Sequence, residues 1–163
     1  MTPLVARALA TTGLAPRRLQ LEVTESVIMN TGDAAAFIGE LHGLGVGLAI
    51  DDFGTGYSSL AYLKQLPVDV LKIDRSFIKD IPADADDEAI AIAIIQLGKS
   101  MNLSVIAEGV ENEQQAAFLL RHGCNRAQGF LYGRPLGPEA LLADWGQDTH
   151  ERQSEQHEHR SSS

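Results

Sequence analysis

Cysteine is nearly absent from this 163-residue chain, where Cys124 stands alone. That excludes an internal disulfide and suits a reducing, cytoplasmic setting. Positive charge is also scarce: 13 Lys and Arg stand against 22 Asp and Glu, for a net charge of −9. Broad binding to a DNA or RNA backbone needs clustered basic residues and is therefore not expected. A small phosphate ligand stays open, provided metal ions supply the positive charge. No apolar run approaches the length of a membrane span, and no signal peptide opens the sequence. From Gly146 to Ser163 there is no apolar residue, which predicts a disordered polar tail over 146–163. His150, His157 and His159 in that tail read as solvated side chains rather than a metal cluster.

The full chain is 44% hydrophobic, enough for one globular domain with a core, assigned to residues 1–145. Apolar strand-like runs alternate with helix-like segments, the pattern of a parallel α/β fold. Met1 to Ala10 reads as the inside of a helix, an odd place for a domain to begin. Strands are expected over Leu19 to Glu25, Val46 to Ile50, Val68 to Ile73, Leu103 to Ala107 and Ala127 to Tyr132. Helices are expected over Asp33 to Leu44, from Tyr57 to before Pro67, over Asp84 to Met101, and from Pro138 to about Trp145. One more runs from an Asn112 cap to Gly123, with Gln115 in the capping-box position.

The richest feature is an acidic doublet running into a glycine turn, Asp51-Asp52-Phe53-Gly54-Thr55-Gly56. Adjacent carboxylates at a buried strand end repel each other, and a bound hard cation removes that cost. Similar strand ends carry Glu22, Lys72 with Asp74, Glu108 and Gln128, at intervals that fit the roughly 30-residue units of a (β/α)₈ barrel. A doubly wound sheet gives similar intervals. Alternation favours the barrel, because residues two apart share a strand face. Gln20, Glu22 and Thr24 share one face, as do Ala49 and Asp51, and Lys72 and Asp74, each turning polar at the strand's C-terminal end. Converging carboxylates there can hold Mg²⁺ or Mn²⁺ for phosphoester hydrolysis, with a lysine orienting water or countering negative charge. Enolate chemistry of the enolase type uses the same parts, and composition does not separate the two.

The segments Glu22-Val23-Thr24-Glu25, Asp51 to Leu60, Leu71-Lys72-Ile73-Asp74, Ala107-Glu108-Gly109-Val110-Glu111 and Gln128-Gly129-Phe130 resemble the EAL-domain cyclic di-GMP phosphodiesterases in order and spacing. The resemblance implies a TIM-barrel-like (β/α)₈ EAL domain that hydrolyses cyclic di-GMP to linear pGpG with Mg²⁺ or Mn²⁺. It implies Glu22, Asp51 and Asp52 as metal ligands, Lys72 as the residue positioning water, and Glu108 as base or further ligand. It also implies that Glu25 anchors the loop from Phe53 to Ser59, including Gly54, Thr55 and Gly56, a loop linked to substrate, metal and dimer contacts. Gln128 falls at the site rim, and Asp74 and Glu111 take supporting hydrogen-bond roles.

The family's naming Glu-Ala-Leu strand, and an asparagine on the strand after it, should precede Glu22, and the sequence starts beyond both. Glu139-Ala140-Leu141 occurs too late and on a helix, and is read as coincidence. The expectation is thus an incomplete barrel of about the last five βα units, with hydrolysis impaired. The alternative is an inactive cyclic di-GMP-binding or regulatory module. A homodimer or another partner would then cover the open edge.

Overall fold

The computed structural model describes residues 1–30, 34–56 and 60–141. Four short strands make one parallel sheet in chain order: β1 (Gln20–Thr24), β2 (Gly47–Phe53), β3 (Val70–Ile73) and β4 (Ser104–Ala107). Parallel neighbours require crossover connections, and helices fill them. α1 (Thr2–Thr12) precedes β1; α2 (Glu25–Asn30) and α3 (Ala34–Gly43) link β1 to β2. α4 (Leu60–Leu63) links β2 to β3, α5 (Ala85–Ser100) links β3 to β4, and α6 (Glu113–His122) follows β4. Sequential, all-parallel pairing is the order found along the wall of a (β/α)₈ barrel.

The core forms where these helices cover the sheet. Ile38 and Leu41 of α3, Leu48 and Ile50 of β2, Leu71 and Ile73 of β3, and Ile94 and Ile95 of α5 are all buried. β3 is buried along its whole length, Lys72 included. α5 starts where the Asp84 carboxylate accepts from the backbone amides of Asp86 and Asp87, and acids fill its first turn. Negative charge there complements the positive end of the helix dipole. At the other end Lys99 Nζ donates to the His122 carbonyl at 2.8 Å, tying α5 to the end of α6. α6 opens with the anticipated capping box between Asn112 and Gln115, and Gly123 closes it at a φ of 84°.

Two expectations are corrected. The strand anticipated through Glu25 stops at Thr24, and Glu25 instead opens α2. The strand anticipated over Ala127 to Tyr132 is reduced to one parallel bridge, Ala107 to Ala127. Backbone bonds continue along it, from the Ala107 amide to Arg126 and from the Gln128 amide to Ala107. The chain then turns at Gly129, whose carbonyl accepts from the Tyr132 amide at 3.1 Å, so regular pairing ends.

Met1–Tyr132 forms one compact unit and Gly133–Ser163 a second. The described part of the second is residues 133–141, with helical backbone from Pro138 that includes Glu139-Ala140-Leu141. The anticipated helix starts at Asp33 and Tyr57, the helix end near Trp145 and the tail over 146–163 lie outside the described residues. Among the described residues, no helix is long and apolar enough to cross a membrane.

Candidate functional site

The C-terminal ends of the strands carry the charged residues singled out from the sequence. Glu22 lies in β1 opposite Ala49, and Asp51 in β2 opposite Thr24. Lys72 lies in β3, and Glu108 directly follows β4, its amide donating to the Ile73 carbonyl at 3.1 Å. Parallel register therefore brings residues far apart in sequence to one rim.

A bulge shapes the acidic doublet. Ile50 pairs with Leu71 and Phe53 with Ile73, so β2 spends one residue more than β3 over the same stretch. Asp52 adopts a φ of 54° within it. In a regular strand Asp51 and Asp52 would point to opposite faces; a bulge re-aims a side chain and is favoured beside active sites. Carboxylate oxygens of Asp51, Asp52 and Glu108 accordingly lie within 4.8 Å of one another.

Lys72 is the hub of this rim. Its Nζ lies 2.7 Å from Glu22 Oε2, 2.9 Å from Asp51 Oδ1 and 2.5 Å from Glu108 Oε1. With only 3% of its surface exposed, an unpaired ammonium here would be very costly. Burial alone lowers the Lys72 pKa, but the surrounding Glu108, Glu22 and Asp51 carboxylates outweigh it and hold the group well above the usual lysine range. Three carboxylates on one ammonium leave the cluster negative. Burial, aided by the Asp51 and Glu22 charges, raises Glu108 despite its pairing with Lys72. Asp52 is also raised, by burial and by the neighbouring Asp51 and Asp74 carboxylates. Asp74 is lowered: hydrogen bonds from Ser76 and from Asp52 overcome the effect of its burial.

The remaining predicted residues fall into two groups. Gln128 Nε2 donates to Glu108 Oε1 at 2.6 Å, so Gln128 belongs to the rim. Glu25, 4% exposed, accepts from the Gly54 amide at 3.0 Å through Oε2. A Cβ on Gly56 would come within 2.7 Å of Glu25 Oε1, and Gly54 has a φ of 100°. Glycine at these two positions lets the loop close down on the Glu25 carboxylate. Thr55 Oγ1 donates to the Asp52 carbonyl at 2.8 Å, tightening the same turn. Phe53 points into the core and Glu111 is exposed, its backbone amide donating to Gln115 Oε1 at 2.7 Å. Ser76, which fixes Asp74, had not been singled out, although Asp-x-Ser is a recognisable turn signal.

The donor set suits a hard divalent cation. It is all oxygen, it is negative in excess of its lysine, and Asp51 Oδ1 is buried without a hydrogen bond. The Lys72 ammonium offers that oxygen charge at 2.9 Å, but off the hydrogen-bonding directions.

The EAL domain family model matches residues 1–135. The chain belongs to the EAL-domain family. A bifunctional diguanylate cyclase/cyclic di-GMP phosphodiesterase, MucR of Pseudomonas aeruginosa, is 56% identical over 140 residues, which are 85% of this chain and 20% of that protein. A solved PaMucR phosphodiesterase in complex with c-di-GMP is 54% identical with a TM-score of 0.81, over 84% of this chain and 56% of that one. Klebsiella pneumoniae BlrP1 in a manganese/cy-diGMP complex is 33% identical with a TM-score of 0.75, over 82% of this chain and 34% of that one. The chain thus spans about a fifth of the length of its curated EAL relative and just over half of the solved PaMucR chain.

Proposed function

We propose that this EAL chain forms the metal-binding, lysine-bearing rim of a phosphodiesterase that hydrolyses cyclic di-GMP to linear pGpG. The observation that carries this reading is the gathering of Glu22, Asp51 and Glu108 around buried Lys72, with Asp52 beside them. A rim this acidic repels a phosphodiester unless cations intervene, which favours metal-assisted phosphoryl chemistry. The cyclic di-GMP in the solved PaMucR complex, and the manganese with cyclic di-GMP in that of BlrP1, support the same substrate and a divalent ion.

In this reading Glu22, Asp51 and Asp52 hold the metal, Mg²⁺ or Mn²⁺. When bound, it supplies positive charge against the phosphate oxygens and acidifies water. Lys72 faces the attacking water and counters charge developing on the phosphate. Glu108 Oε1 is occupied by Lys72 Nζ and Gln128 Nε2, which leaves Oε2 to accept the proton from water or to join the ligand set. Its raised pKa brings it nearer neutrality, as general-base work requires. Glu25 secures the turn after Asp52, so that both aspartates stay aimed at the rim. The outer edge of β1 carries no strand among the described residues, which supports pairing with a further segment or a second copy. A nucleotide substrate made in the cell and a lone, buried Cys124 fit a cytoplasmic site.

The test is chromatography of cyclic di-GMP incubated with purified protein and Mn²⁺ or Mg²⁺. Metal-dependent pGpG, abolished by EDTA, is the expected result. Calorimetric binding of cyclic di-GMP without product favours the non-catalytic binding module, and absence of both overturns the reading.

A further inference from the structure

We infer that Lys72 is the built-in counter-ion of this rim, and that its ammonium competes with a divalent cation for the same carboxylates. The inference rests on the metal-binding part of the proposed function. Glu22 comes from β1, Asp51 from β2 and Glu108 from the end of β4, while Lys72 stands on β3 between them. Remove the ammonium, and three carboxylates face one another with no other cation within ion-pair distance among the described residues. Asp51 and Glu108 are also two of the three residues whose oxygens converge on a possible ion position. The ammonium and the ion therefore share ligands.

The side chain itself lets the lysine yield. Its charge sits on a flexible four-carbon stem, and Gln128 continues to fix Glu108 Oε1 when Lys72 moves. Before metal arrives Lys72 keeps the strand ends assembled; metal entry then costs the ion pairs that Lys72 gives up. Affinity for the metal is set by that exchange, and the released ammonium is left free to face substrate.

The experiment compares wild type with Lys72→Met, without substrate, by calorimetric Mn²⁺ titration and thermal denaturation. Lys72→Met is expected to melt several degrees lower without metal. It is expected to bind Mn²⁺ about tenfold tighter, the change that about 1.4 kcal/mol of relieved competition produces, and to gain more Tm from Mn²⁺ than wild type does. Equal or weaker Mn²⁺ affinity with an unchanged metal-free Tm overturns the inference while leaving the proposed function standing. If neither protein binds a divalent ion, the metal site of the proposed function falls, and the metal-free Tm alone decides the counter-ion role. A variant that folds only with Mn²⁺ supports it. Should the variant not fold at all, the wild-type side-chain ammonium resonance decides by NMR. A protected Lys72 signal that shifts during Mg²⁺ titration supports competition; one indifferent to metal overturns it.

Discussion

Two acid-rich regions of this EAL chain look alike on paper and behave differently in the structure. Asp84, Asp86, Asp87 and Glu88 crowd the start of α5, local in sequence and largely exposed, and they serve the helix: Asp84 caps two amides and the rest meet the helix dipole. Glu22, Asp51, Asp52 and Glu108 are scattered over the chain, and the sheet gathers them against one buried lysine. Density of acids along a sequence reports local structure. Convergence of distant acids, held against their mutual repulsion, reports a site.

The largest effect that probes this contrast is Asp51→Ala. It removes a proposed shared ligand from the rim and should lower the proposed cyclic di-GMP turnover by at least about 10²- to 10³-fold, the scale for losing a central electrostatic group. Mn²⁺ binding should weaken in parallel. The fold should survive, because one fewer carboxylate competes for Lys72 and a poorly bonded buried oxygen is gone. Equal losses of Tm and activity would blur the distinction between the two regions. Next comes Gln128→Ala. Gln128 holds Glu108 at 2.6 Å without reaching the other acids, and groups that orient a ligand are worth roughly 10- to 100-fold in metal affinity or activity. Rescue by Gln128→Asn is not expected, since the shorter side chain cannot span the same gap.

The sequence made the local half of this picture readable and left the convergent half implicit. The Asn112–Gln115 capping box and Gly123 at the end of α6 each rest on residues within one turn of each other, and each forms as anticipated. The strand ends carrying Glu22, Asp51 and Lys72 were legible from alternation, because a period of two survives without tertiary information, and Glu108 from its place just after a strand-like run. The bulge was not: it exists only as a mismatch between β2 and β3. Nor was the start of α2, where Glu25 leaves the strand; its hold on the Gly54 amide, across 29 positions of sequence, was implied by the family resemblance alone. That Lys72 serves three partners follows from register, which a single strand does not display. Its presence in a fully buried Val-Leu-Lys-Ile strand was nevertheless a signal that partners had to exist.

On the other side of the comparison, Asp84→Ala should cost stability and spare chemistry. Loss of an N-cap is typically worth about 1 kcal/mol, measurable as a shift of the urea midpoint with the slope unchanged. Mn²⁺ affinity should not move. A change in metal binding would mean that the start of α5 and the rim are coupled, which nothing in the cap geometry provides.

The smallest effect sharpens the contrast from the uncharged side. Cys124 is as buried as Lys72, each 3% exposed, yet no ion pair holds it, and the Lys99 charge offsets its burial only in part. Its Sγ lies 3.3 Å from the Arg126 carbonyl and 3.6 Å from that of Val105, both acceptors, so the thiol donates and the thiolate is disfavoured. Burial accordingly raises the Cys124 pKa. Both groups are shifted upward, but for Lys72 that keeps the charge and for Cys124 it keeps the neutral form. A thiol pKa raised on folding contributes stability that is fully present below the unfolded value of about 8.5 and is lost as pH rises through the folded value. Denaturation midpoints should therefore fall gently above that pH, and Cys124→Ala should remove this component of the slope. Thiol reagents at neutral pH should label wild type only as fast as the chain opens; rapid labelling of native protein would show that Cys124 is neither as buried nor as neutral as its surroundings require.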